Sequence, residues 1–196
     1  MDEFFNSKEF KEKLARYEEA CQQGLSVFLD ADDMADIAEY YHLQHRDEEA
    51  VEVCDKAIAM FPHSLRPLVF RARIELILHK DSDKAESYLE QIDDTDDLDY
   101  YYLYAEILLV RGKYTDAETY LEDAYDHLED EDDRADFVLD VALLMCDYYR
   151  MDEAQQWLSL SDEPDQADYQ EAKGRIALYR GHYEESEKIF NELLDK

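Results

Sequence analysis

The side chains whose type and spacing could do chemistry are few in this 196-residue chain. His42 and His45, in HLQH, could face one metal ion from a helix end, but no third ligand lies within reach in the sequence, and they read as solvated helix-end residues. Asp93, Thr95 and Asp97, in DDTDDLD, are spaced like the opening of a calcium loop. The sixth position of that loop is Leu98 in place of glycine and the twelfth is Tyr104 in place of glutamate, so an acidic turn is the expectation. Cys21, Cys54 and Cys146 are too far apart for a zinc ribbon or redox pair and odd in number for a disulfide framework; they read as small core residues in a reducing compartment. No GxGxxG, GxxxxGK[ST], GxSxG or HExxH occurs. The expectation is a protein without catalytic, metal or cofactor site, and not an enzyme.

Recognition chemistry remains. Asp and Glu number 52 against 20 Lys and Arg, a formal charge of −32. That balance argues against a nucleic-acid partner, since affinity for phosphate comes from clustered cations releasing counterions. Apolar residues make up 46% and aromatic ones 13%, more burial capacity than a disordered acidic chain carries. With 4 Gly and 3 Pro there are few turns for a many-stranded sheet, so helices are expected. The N-terminal MDEFFNSKEFKEKL lacks the basic start and apolar run of a secretory signal, and no membrane-length apolar run follows; a cytoplasmic location is expected.

The elements that would carry recognition repeat. Small residues recur at Ala50, Ala85, Ala117, Ala154 and Ser186, and again at Ala38, Ala72, Ala105, Ala142 and Gly174, both series advancing by 34 residues on average. Two amphipathic stretches joined by a short turn make up each period, as with Tyr101, Tyr104, Ala105 and Leu108 followed by Ala117, Leu121 and Ala124. The turn reads RGKY at Arg111 to Tyr114 and RGHY at Arg180 to Tyr183, where glycine ends a helix at positive φ.

This pattern resembles the tetratricopeptide repeat (TPR) family, whose 34-residue unit places large, large, small and large apolar residues on helix A and small, aromatic and small residues on helix B. The first repeat matches with Met34, Ile37, Ala38, Tyr41, Ala50, Cys54 and Ala57, and ends in Pro62. Arg71 occupies a usually apolar site of the second repeat, one residue is inserted near Asp81 and Ser82, and Ser161 follows a shortened helix. The resemblance implies an all-α, right-handed superhelical solenoid of antiparallel helix pairs: about five repeats at 31–64, 65–97, 98–131, 135–163 and 167–196, preceded by a capping helix within 1–30. In that first segment Phe10, Leu14, Tyr17 and Cys21 share a helical face, and Asn6 with Glu9 is spaced as a capping box. At the other end Ile189, Phe190, Leu193 and Leu194 leave an apolar end, which suggests a longer array, with end-to-end homodimerisation as the alternative.

In resembling proteins the A helices line a concave surface. The corresponding positions here are Asp32, Ala35, Glu39 and His42, then Arg66, Val69, Arg73 and Leu76, then Asp99, Tyr102, Glu106 and Leu109. The fourth repeat adds Asp136, Leu139, Leu143 and Cys146, and the fifth Asp168, Glu171, Arg175 and Leu178. Most of the 16 tyrosines read as core, with Tyr102 as the exception facing the groove. The carboxylate clamp of chaperone adaptors needs Lys and Asn where this chain has Ala35, Glu39, Phe70 and Asp99. The expected function is a non-enzymatic scaffold binding a peptide or partner protein, with a docking or regulatory segment of a longer polypeptide as the alternative. The negative charge either favours a basic partner or solvates the outer face.

Overall fold

The computed structural model describes residues 3–25 and 27–194. A short helix α1 (Glu3–Asn6) leads into α2 (Lys8–Gln23). The cap of α2 is Ser7, not the expected Asn6: Ser7 is extended, and its hydroxyl accepts the Phe10 N–H at 3.1 Å, whereas Asn6 is itself helical in α1. Phe10 and Tyr17 are buried as expected, but Cys21, on the same face, is exposed in the last turn beside open cavities. Cys54 and Cys146 are core residues, and burial pushes their thiols up to about 12 and about 11.

The chain forms two compact units, one running to Leu103 and the other from Tyr104. In the first, α3 (Ala31–Leu43) and α4 (Asp47–Met60) pack as a pair, and α5 (Leu65–Ile74) packs on both. Asp30 caps α3 by accepting the Asp33 N–H at 2.8 Å. Met34, Ile37, Ala38, Tyr41, Ala50, Cys54 and Ala57, the residues that carry the repeat pattern, form this core. A π-helical turn, Glu75–His79, prolongs α5 before α6 (Ser82–Leu89), and α7 (Leu98–Val110) follows.

In the second unit α8 is Tyr114–His127, α9 Glu131–Asp147, α10 Met151–Leu158, α11 Ala167–Tyr179 and α12 Tyr183–Leu194. The pairs α9 with α10 and α11 with α12 pack closely, and α11 packs on α9. The acidic run before α9 does local work: Asp130 accepts the N–H groups of Asp132 and Asp133 at 2.8 and 3.3 Å, and the acids of the first turn complement the helix dipole.

The small-residue series mark where helices touch. Ala38, Ala72, Ala105 and Ala142 are fully buried, as are Ala50, Ala85, Ala117 and Ala154. In the last repeat the two series meet directly: the Ser186 hydroxyl donates to the Gly174 carbonyl at 2.9 Å, and a Cβ on Gly174 would stand 3.0 Å from Phe190.

Each A helix ends in one left-handed residue, at His45, Lys80, Gly112, Tyr149 or Gly181. The N–H of the next residue then closes onto the carbonyl five back, as in Arg46 to Tyr41, Lys113 to Leu108, Arg150 to Met145 and His182 to Ala177, at 2.8–2.9 Å. In the second repeat the closure is Asp81 to Glu75, six residues back. The inserted residue is therefore absorbed in the π turn, upstream of its expected place near Asp81 and Ser82, which leaves Asp81 free to cap α6 through the Lys84 N–H.

Arg71 explains why that turn is polar inside. Its guanidinium, 6% exposed, lies 3.0 Å from Asp55 on α4 and 2.5 Å from Glu75, against the Tyr88 ring of α6. Glu75, 1% exposed, is also 2.6 Å from Lys84 and 2.5 Å from His79. Burial alone would raise the Glu75 carboxyl; hydrogen bonds from Lys84 and His79 with the Arg71 charge bring it down to about 2.

Candidate protein-interaction surface

On a helix, residues three, four and seven apart share a face. That spacing places Ala35, Glu39 and His42 along α3, and Arg66, Val69 and Arg73 along the adjacent α5. In the first unit Ala35, Glu39, Arg66, Val69, Phe70, Arg73 and Asp99 enclose a pocket of about 170 Å³. Ala35 and Val69, both buried, line it together with Phe70, but most of its open surface is polar and comes from the four charged residues. A cavity of about 150 Å³ takes one benzene-sized group, whereas cofactor sites run from about 300 Å³ upwards. The pocket suits a single side chain.

Its rim is charged. Arg66 reaches Asp36 at 2.7 Å and Glu39 at 3.7 Å, and Arg73 stands 3.5 Å from Asp99. Asp36, one turn before Glu39, is the Arg66 partner that the repeat register did not single out. The Glu39 carboxyl is raised above its ordinary value, first by burial, with Asp36 and Asp99 adding to the effect of burial while Arg66 and Arg73 oppose it. His42 is engaged within the chain: its Nδ1 is 2.6 Å from Asp47 Oδ1, and its ring meets the Phe70 ring edge-on at 6.0 Å. His45 takes the left-handed turn conformation.

The remaining expected positions divide by burial. Tyr102 (8% exposed), Glu106 (7%), Leu109 (3%) and Leu139 (2%) are enclosed by the fold, as are Leu76 and Cys146. Tyr102 and Leu109, expected at groove-facing positions, are buried, so they offer little surface to a partner. In the second unit Leu143 is half-buried and Leu178 exposed, and Arg175 on α11 reaches Asp147 on α9 at 2.5 Å and Glu171 at 3.6 Å. Among the described residues no cluster of His, Cys, Asp and Glu is arranged to hold a metal ion, and no helix is long and apolar enough to cross a membrane.

No family model and no curated protein sequence matches the chain. Solved structures do. A tetratricopeptide repeat protein from Parabacteroides merdae is similar over 95% of this chain and 72% of its own, with a TM-score of 0.70 at 16% identity. TTC0263, a thermophilic TPR protein of Thermus thermophilus, is similar over 84% of this chain and 90% of its own, with a TM-score of 0.59 at 17% identity. At such identities the likeness is one of fold, and it agrees with the periodic small residues and the left-handed turns: the chain is an all-α, TPR-like solenoid of paired helices.

Proposed function

We propose that this protein is a non-enzymatic scaffold, and that the pocket between α3 and α5 receives one side chain of a peptide or partner protein, its apolar part against Ala35, Val69 and Phe70 and its polar end at the charged rim. The observation that carries this reading is the pocket itself: sized for one side chain, lined by Ala35, Val69 and Phe70 and by the charged Glu39, Arg66, Arg73 and Asp99. Such a site gains affinity by burying an anchor while polar groups at the rim stay satisfied. A Lys or Arg beside the anchor pairs with Glu39 and Asp99, because Glu39 is held partly desolvated without full compensation. The chain's charge of −32 hastens the encounter with such a ligand.

The test is capture of partners by the purified chain at low salt and at about 0.5 M salt, where surface attraction is screened beyond a few ångström. Glu39→Lys and Arg73→Glu are run beside the wild type. Partners that persist at high salt with the wild type and are lost with both variants support the pocket. Partners that vanish at high salt in every case would mean that acidity alone was collecting basic proteins.

A further inference from the structure

A second surface of the first unit shares no residue with that pocket. Between α2 and α4 two cavities, about 450 and about 290 Å³, adjoin through common walls at Tyr17, Cys21, Leu25 and Lys56. The smaller is completed chiefly by apolar residues, Val27, Met34, Ala59 and Met60. The larger brings in three carboxylates, Glu18, Glu49 and Glu52. Unlike the side-chain pocket, this groove reaches the size of a ligand site. Its apolar rim is open to solvent, with Leu25 62% and Met60 51% exposed, and Phe28, adjacent in sequence to Val27, 89% exposed.

The acidic lobe already holds one cation over an aromatic ring and another at a tyrosine hydroxyl. The Arg46 guanidinium lies 4.1 Å above the Tyr41 ring and 2.5 Å from Glu49, with Glu18 at 3.6 Å. The Lys56 ammonium lies 5.7 Å from the centre of the Tyr17 ring, 3.4 Å from its hydroxyl and 3.0 Å from Glu52. Arg46 is gripped by two carboxylates. Lys56 is 44% exposed and paired with Glu52, so it is the cation that can be displaced. Ring faces beside carboxylates are a general means of holding Lys and Arg.

We propose that this groove is a second docking surface, for a segment of another protein that combines an apolar side chain with a neighbouring Lys or Arg. The apolar side chain fills the lobe of Val27, Met34 and Met60. The cation replaces Lys56 beside Glu49, Glu52 and the Tyr17 ring. Charge selects such a partner over a second copy of this chain, because two copies each bearing −32 repel.

Selection of random peptides of about 12 residues, displayed on phage and panned on the full chain at about 0.5 M salt, tests the proposal. The enriched peptides should carry an apolar residue close to Lys or Arg. Their affinity should fall about tenfold on Leu25→Ser and Met60→Ser, as for loss of an anchor contact, and stay unchanged on Glu39→Lys, with the far-ultraviolet circular dichroism of all three variants intact. Four results overturn it: no enrichment, equal binding to Leu25→Ser and Met60→Ser, loss confined to Glu39→Lys, or a sedimenting dimer that Phe28→Asp dissociates. The third would leave the α3–α5 pocket standing, and the fourth would make a second copy the occupant.

Discussion

The five left-handed residues between A and B helices do the same job with unequal chemistry. Gly112 and Gly181 adopt that conformation without steric penalty, whereas His45, Lys80 and Tyr149 hold a Cβ against the backbone. Tyr149 is 74% exposed, so its ring contributes little packing in return. Tyr149→Gly is expected to stabilise the chain by about 1 kcal/mol, read as a rise in the midpoint of urea unfolding. Glu75 is the opposite case, a charge that the fold needs. Its folded-state value of about 2 lies below the ordinary 4.5, so its contribution is present above pH 4.5 and is lost as the pH falls towards 2. Glu75→Gln should flatten that part of the acid-unfolding curve and cost about 3 kcal/mol at pH 7, because Arg71 remains buried with less compensation. Arg71→Leu combined with Glu75→Leu should recover most of the loss, since an apolar pair of similar volume replaces a buried ion pair at little cost.

Helix pairing depends on what is missing as much as on what is present. Gly174 and Ser186 let α11 and α12 approach until the Ser186 hydroxyl reaches a backbone carbonyl of the opposite helix. A side chain at Gly174 would push against Phe190 and Ile189, whose nearest atoms lie 3.0 and 3.2 Å from the position of a Cβ. Gly174→Leu should therefore destabilise the second unit by about 1–3 kcal/mol despite the better helix propensity of leucine, which thermal unfolding followed at 222 nm would measure. The π turn of α5 is an element-scale adjustment of another kind. By taking up one residue it keeps Arg66 and Arg73 in register with α3 upstream, and lets Asp81 start α6 downstream.

For the molecule as a whole, charge is the dominant global quantity. A formal −32 on 196 residues opposes compaction through self-repulsion. Specific ion pairs such as Lys13 with Asp33 at 2.6 Å and Arg175 with Asp147 at 2.5 Å offset only part of it. Raising the ionic strength from about 0.01 to 0.15 M shortens the screening length from about 30 to about 8 Å. Tm should rise over that range. A fall in Tm would mean that the ion pairs outweigh the repulsion, since salt weakens those pairs as well.

The helical class, the 34-residue period and the residues at which paired helices touch were legible in the sequence, because a helix repeats its faces at a fixed spacing and a small residue is required wherever two backbones come close. Gly112 and Gly181 announced their turns for an equally local reason. What the tertiary structure alone decided depends on neighbours that are distant in sequence. The extra residue of the second repeat went into Glu75–His79 because Arg71, Lys84 and His79 surround Glu75 there. Tyr102, Leu109 and Leu139 stand at expected groove positions, yet they are enclosed because burial follows from the helices packed around a residue and not from its place in the repeat. Cys21 shares a face with buried Phe10 and Tyr17 and is nonetheless exposed in the last turn of α2. The period determined which residues could form a surface, and helix packing determined which of them solvent can reach.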